Sequence, residues 1–421
     1  MTITTEDNHT SDKNMLSIAE GENGRTNCYA VYMLKSSRHH SVSASSEEEC
    51  QFENKSEGWT QEKEEKQGIN LSLVATNLSA EKETDVRCYL LKRLDKDHIL
   101  DEEGKLGFLT FGTDSVSKQA ACYYQILKSS VESSVLPDGG GDYEYVSWDD
   151  DVYVTCLISP GDVTLDLLHS DLQQFCCSLV PLLKAVLKFE DQKTSSQCED
   201  SLKEKLNDWP TKAVEYIIYC KKWMNKHISV LLQLGLLDGQ LEFVDVQEEA
   251  QVYFKRFLDA CSFGPILQDT ADSVTGSSEP SPNMSQAVSG TNNQHSSLAR
   301  VTVTKTNDGF QLSQTGSSKY CQVWAQKLLM CEEDALRLKR TIEEFRMKTI
   351  QDMNMLKRLV KKAETDHYAL FQVYQFLKNC GYRDTLLYRM KHEGSLMSSP
   401  ESSEVVAILE EYLQAKKNGE I

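Results

Sequence analysis

Apolar residues return every third or fourth position through the C-terminal third of the chain. Leu338, Ile342, Phe345 and Thr349 lead into Met353, Leu356, Val360, Ala363, His367, Leu370, Tyr374 and Leu377. The run from Lys319 to Cys380 that carries this stripe holds no glycine and no proline. Such spacing keeps one side of a helix dry, and its length predicts a helical seam built to lie against another helix. Gly381 supplies a natural stop. A further amphipathic helix is expected over Ser403–Lys416, behind Pro400, with Val405, Ile408, Leu409 and Leu413 on one face. The seam can pack on the chain's own helices, Ser403–Lys416 among them, or coil with another molecule. Its Ala, His and Tyr positions suit an intramolecular bundle better than a zipper.

The N-terminal half has a different rhythm. Cys28–Lys35 and Ile69–Thr76 alternate apolar and polar residues and predict strands. Ser79 stands at a helix start, though Lys82 occupies the place where a capping box wants Glu or Gln. Val86, Leu90, Leu91 and Leu94 then give a helical period ending before Asp95. Three further strands are expected at Leu106–Phe111, Gln119–Leu127 and Asp151–Ser159. Pro160-Gly161 breaks the chain, and Val163–Leu187 reads as an amphipathic helix containing Pro181. A meander with one helix after the second strand and another after the last resembles the order of longin-type domains, small α+β modules of vesicle-trafficking proteins.

Strand patterns fade after residue 190. Ser201–Leu237 predicts helix, with a start at Asp208-Trp209-Pro210, and Gln247–Cys261 predicts another. A hairpin is expected at Val301–Ser313 around Asn307-Asp308-Gly309. The fold class is therefore α+β: an N-terminal antiparallel-sheet, longin-like domain followed by a mainly helical C-terminal domain. The expected divisions are a disordered stretch at 1–26, the α+β domain at 27–188 with a disordered insertion at 36–67, and a helical region at 189–263. A Ser/Thr/Asn/Gly-rich linker at 264–300 leads to the C-terminal helical domain at 301–421.

Composition narrows the classes. The 421 residues are 40% hydrophobic and 26% charged, as in a soluble globular protein. Nowhere do about 20 uninterrupted apolar residues occur, so no membrane-spanning helix is expected. The polar start MTITTEDNHTSDKN is neither a secretory signal nor a transit peptide, which places the chain in the cytoplasm. Cys88, Cys122, Cys156, Cys176, Cys177, Cys220 and Cys261 lie within apolar runs, without C-x-x-C pairs or zinc-ligand spacing. They are expected to be reduced, structural thiols. Net charge is −19, which opposes nucleic-acid binding. The charge is uneven: Lys319–Glu393 carries +5 and the remainder −24, making the C-terminal helical region a basic island.

Nothing in the chain predicts a reaction. Gly139–Gly141 lacks the Lys-Ser/Thr of a phosphate-binding loop and reads as a hairpin loop. Asp149-Asp150-Asp151, without calcium-loop spacing, reads as a solvated strand edge. No nucleophile elbow or Cys/His signature is present, so neither a cofactor nor a metal is expected. His367 falls on the seam and is expected to face the core. Lys357, Arg358, Lys361 and Lys362, at i, i+1, i+4 and i+5, form a basic strip beside the seam. The strip is either a solvated helix face or a contact for an acidic partner or anionic membrane surface. The candidate partner-binding surface is thus Met353, Leu356, Val360 and Leu370 with Lys357, Arg358, Lys361 and Lys362 alongside.

The segment FRMKTIQDMNMLKRLVKKAETDHYALFQVYQFLKNCG (Phe345–Gly381) resembles the Njmu-R-one protein family, and VVAILEEYL (Val405–Leu413) is similar to its terminal helix. LSLVATNLSAE (Leu71–Glu81), YLLKRL (Tyr89–Leu94) and CYYQIL (Cys122–Leu127) are similar as well. The resemblance implies a non-enzymatic subunit of a WD-repeat-containing complex that also holds a FAM-ninety-one-type protein. That complex helps golgin-tethered, endosome-derived vesicles dock at the trans-Golgi network, and the family has a link to spermatogenesis. The resemblance brings no catalytic residues. Beside it stand two other expectations: regulation of small GTPases through the longin-like sheet, and an enzyme with an unrecognised site.

Overall fold

The computed structural model describes residues 27–36, 69–94, 103–111, 118–128, 152–160, 165–188, 192–262, 300–306, 309–392 and 400–417. The N-terminal stretch, the triple glycine, Asp149–Asp151 and, apart from Ser36 and Arg300 at strand ends, the insertion and the linker lie outside these residues. Chain contacts divide the molecule into two units, one comprising 1–126 and 132–163, the other 127–131 and 164–421.

The first unit is built on a five-stranded sheet: β1 (Cys28–Ser36), β2 (Ile69–Thr76), β3 (Lys105–Phe111), β4 (Lys118–Lys128) and β5 (Val152–Pro160). Its spatial order is β2-β1-β5-β4-β3. β1 runs antiparallel to both β2 and β5, and β3 to β4. Helix α1 (Ala80–Arg93) follows the second strand, as the sequence pattern predicts, and joins β2 to β3, the two edge strands. Its start is at Ser79, but the serine side chain makes no capping bond.

Alternation decides the core. Ala30, Tyr32 and Leu34 of β1, Cys122, Tyr124 and Ile126 of β4, and Val152, Val154, Cys156 and Ile158 of β5 share one face. They pack in a single cluster with Val86, Leu90 and Leu94 of α1. The other parity is buried too: Tyr29, Val31, Tyr123, Tyr153 and Leu157 are at most 2% exposed. Every position from Val152 to Ser159 is therefore inside, which explains why β5 is apolar on both faces, with Thr155 and Ser159 as its buried polar residues. The polar link at the end of β1 is a small knot, with the Tyr29 amide donating to Asn77 Oδ1 at 2.9 Å and Thr76 Oγ1 to the Tyr29 carbonyl at 2.8 Å.

The second unit opens with a turn of 3-10 helix at Leu165–Leu168 and α2 (His169–Lys188). The expected helix at Val163–Leu187 is thus present, with Pro181 inside it, and it is counted with this unit instead of the sheet. The helical stretch expected over Ser201–Leu237, with its start at Asp208-Trp209-Pro210, holds four helices: α3 (Gln192–Asn207), α4 (Trp209–Ala213), α5 (Glu215–Met224) and α6 (Ile228–Leu236). Pro210 lies in the first turn of α4, and Asn225, at φ 37°, turns the chain between α5 and α6. A strand the periodicity did not predict follows, β6 (Gln240–Val244), then α7 (Glu248–Cys261). The expected hairpin is β7 (Arg300–Thr306) and β8 (Gly309–Leu312), and β6 joins it parallel to β7 in a three-stranded sheet.

The long C-terminal run is three helices: α8 (Lys319–Met330), α9 (Ala335–Ala363) and α10 (His367–Cys380). The breaks come from aspartates rather than from glycine or proline. Asp334 accepts the Arg337 amide at 2.7 Å and Asp366 the Tyr368 amide at 2.9 Å, so each starts a new helix by capping it. Gly381, at φ 80°, ends α10 in the left-handed conformation. α11 (Arg383–His392), which the sequence did not suggest, and α12 (Pro400–Lys417) complete the unit.

Candidate interaction surface

α9 and α10 pack side by side, joined by the short turn that Asp366 caps. Met353, Leu356, Val360 and Ala363 fill the interface, Leu356 at 0% exposure and Met353 at 2%. α10 and α12 both lie against α9, so the chain's own helices cover this part of the seam. Because a new helix starts at Asp366, the stripe changes phase across the turn. Ala369, Val373 and Leu377 are the buried side of α10, Leu370 and Tyr374 are half-buried, and His367 is exposed. The expectation that His367 faces the core is corrected accordingly.

The candidate surface therefore separates into two parts. Met353, Leu356 and Val360 lie inside the fold and Leu370 at its margin. Arg358, Lys361 and Lys362 are exposed and Lys357 is half-buried. Lys362 lies 3.9 Å from Asp366, a solvated pair that leaves the cation available to a partner. The strip is a cationic ridge on the outside of a helix whose apolar side is already occupied.

Deeper in the unit lies a charged cluster that pattern reading missed. Lys339, 5% exposed, places its ammonium 2.9 Å from Asp171 of α2 and 3.5 Å from Glu343. Arg256 of α7 lies 3.5 Å from the same aspartate and stacks 4.5 Å over the Tyr216 ring. Burial first, and then the Asp171 carboxylate, push the Tyr216 phenol well above its ordinary value. The periodic clue was available: Lys339 stands one residue after Leu338 on the buried side of α9, a lysine in an apolar stripe.

Open cavities among the described residues of this unit include the following pair. One of about 590 Å³ is lined by Gln233, Ser317, Leu377, Lys378, Tyr382 and Arg383 among others. The other, about 620 Å³, lies between α11 and α12, beside Tyr388, Lys391 and Glu410. Two buried thiols are unreactive by environment: burial pushes Cys321 up to about 12 and Cys261 higher still, so these two stay protonated at neutral pH. Cys88 and Cys177, expected inside, are exposed, because each falls on the outward side of its helix. Among the described residues no cluster of three or more His, Cys, Asp or Glu side chains could hold a metal, and no helix is long and apolar enough to cross a membrane.

Fold and surface together define a protein with an N-terminal antiparallel sheet and a helical C-terminal unit that carries an exposed basic ridge. The sequence matches the Njmu-R1-like protein family over residues 29–415, and the chain belongs to that family. It is similar to Protein Njmu-R1 of Mus musculus, 29% identical over 355 residues, which cover 82% of this chain and 81% of the mouse protein. No solved structure matches.

Proposed function

We propose that this chain is a non-enzymatic interaction subunit of a WD-repeat-containing complex, one that promotes capture of endosome-derived vesicles at the trans-Golgi network. Membership of the Njmu-R1-like family supports the reading, together with the family's association with a WD-repeat protein and a FAM-ninety-one-type protein. The observation that carries it on the protein itself is the ridge of Lys357, Arg358, Lys361 and Lys362. It lies on a helix whose apolar side is filled by its own chain, with Arg358, Lys361 and Lys362 exposed to solvent and Lys357 half-buried beside them. On an otherwise acidic protein such a ridge selects acidic partners and speeds their encounter.

The test replaces all four cations by glutamate and measures capture of the WD-repeat protein from cells, with melting temperature as the control for folding. Capture falls while the melting temperature holds. Unchanged capture removes this ridge as the assembly surface, and affinity purification that yields no stoichiometric WD-repeat protein removes the subunit reading itself.

A further inference from the structure

A second face of the C-terminal unit has the opposite polarity. Tyr368 and Phe371 of α10 are 64% and 53% exposed, with ring centroids 6.3 Å apart. One turn on, the half-buried Tyr374 meets Tyr412 of α12 edge-on at 5.1 Å. Tyr412 and Ile408 sit one turn apart and are 38% and 45% exposed. These five side chains make an apolar stripe across two neighbouring helices, where single exposed residues would need no explanation.

Charge says what covers it. Glu401, Glu404 and Glu411 are exposed on α12, and their spacing from Ile408 and Tyr412 (i, i+3, i+7, i+10, i+11) puts all five on one outward face. Glu410 is engaged by Lys391, while Lys378 lies two turns beyond Phe371 at the far end of α10. An anionic bilayer is repelled by this carboxylate row, and so is an acidic protein.

We propose that the α10–α12 face docks a basic amphipathic helix supplied by a partner protein. Apolar residues of that helix at i, i+3, i+4 and i+7 would lie on the Phe371–Tyr374–Tyr412 stripe, and its lysines or arginines would meet Glu401, Glu404 and Glu411. This goes beyond the reading above, because it assigns a cationic partner to side chains other than those of the basic ridge, which the test leaves unchanged.

The experiment uses the full chain and a fluorescent peptide of about 18 residues, leucines on a 3–4 repeat and lysines elsewhere. The same peptide with glutamate for lysine and phosphatidylserine-containing vesicles serve as the other arms. Phe371→Ser with Ile408→Ser, and separately Glu404→Lys with Glu411→Lys, each weaken the lysine peptide by about tenfold or more. The same charge change at Glu332 and Glu333, exposed residues before α9, weakens it by less than about twofold. Equal losses from both charge-reversed pairs would reduce the binding to net charge and overturn the proposal. So would a glutamate peptide that binds as tightly, or vesicle binding that Phe371→Ser with Ile408→Ser abolishes.

Discussion

The phenol of Tyr382 donates to the Asp352 carboxylate at 2.8 Å, joining the turn after α10 to the middle of α9. Asp352 is buried and also receives Lys348 at 2.7 Å, while Tyr320 of α8 stacks on the Tyr382 ring at 3.9 Å. Burial first, then the Tyr320 phenol and the Asp352 charge, hold the Tyr382 phenol far above its usual value. It therefore remains a hydrogen-bond donor at neutral pH. Tyr382→Phe keeps the stack and deletes only the hydroxyl, leaving a buried carboxylate oxygen short of a partner. The expected loss is about 1.5–3 kcal/mol, since hydrogen bonds to charged groups are the stronger ones, and urea unfolding measures it.

Helix boundaries test the capping argument. Asp366→Ala removes the acceptor for the Tyr368 amide and should lower stability by about 1 kcal/mol, whereas Asp366→Asn stays close to the wild type. The solvated contact with Lys362 at 3.9 Å adds little to either number. Equal destabilisation by alanine and asparagine in thermal melts would show that charge, not the cap, sets the start of α10.

The same boundary marks how far the sequence could be read. Alternation in Cys28–Lys35 and Ile69–Thr76 located two strands because the pleat has period two, although both parities of β1 turn out to be buried. The helical stripe reached Met353, Leu356 and Val360, each of which is buried. It failed at Asp366, because counting every third or fourth residue carries straight through a capping aspartate, and so His367 was set inside. β6 escaped because Gln240–Val244 is five residues long, and it is held by parallel pairing to a strand far along the chain. The ridge was legible as spacing. The Asp171–Lys339 contact joins residues on two distant helices, and its one local trace is a lysine beside Leu338 on the buried side of α9.

Gly235 of α6 tests helix packing. A Cβ built there lies 2.8 Å from the Cys261 Cβ and 3.2 Å from the Leu258 carbonyl of α7. Neither neighbour is the end of a flexible side chain, so Gly235→Ala must push the two helices apart. Overpacking of this kind costs about 1–3 kcal/mol, against the gain of up to about 1 kcal/mol from replacing glycine in a helix. Net destabilisation is the expected outcome, read by chemical unfolding, and Cys261→Gly in the same chain should return part of it.

His227 gives stability a pH dependence of known sign. Partial burial, with the adjacent Lys226 charge, lowers its pKa below the ordinary 6.5. The folded state thus favours the neutral ring, so the unfolded chain binds the proton more readily. Stability contributed by this site is present above pH 6.5 and declines as the pH falls below it, until the folded-state pKa is reached. His227→Gln should flatten that part of a melting-temperature profile. An unchanged slope in the variant would place the dependence elsewhere.

The buried pair of Asp171 and Lys339 carries the sharpest contrast. Their side chains are 7% and 6% exposed at a separation of 2.9 Å, with Arg256 also on the aspartate. Removing the carboxylate alone, as Asp171→Ala, leaves the Arg256 guanidinium without its counter-charge and the buried Lys339 ammonium with only Glu343, 3.5 Å away. The expected loss is about 3–5 kcal/mol. Asp171→Leu combined with Lys339→Met removes both buried charges and fills similar volume, leaving only the part-exposed Arg256 short of a partner, so it should lie much nearer the wild type. Glu343 then becomes the acceptor left to Arg346, at 2.9 Å, and keeps that part of the cluster neutral. A double variant as unstable as Asp171→Ala would mean that the ion pair itself, and not the avoidance of a lone buried charge, holds α2 against α9.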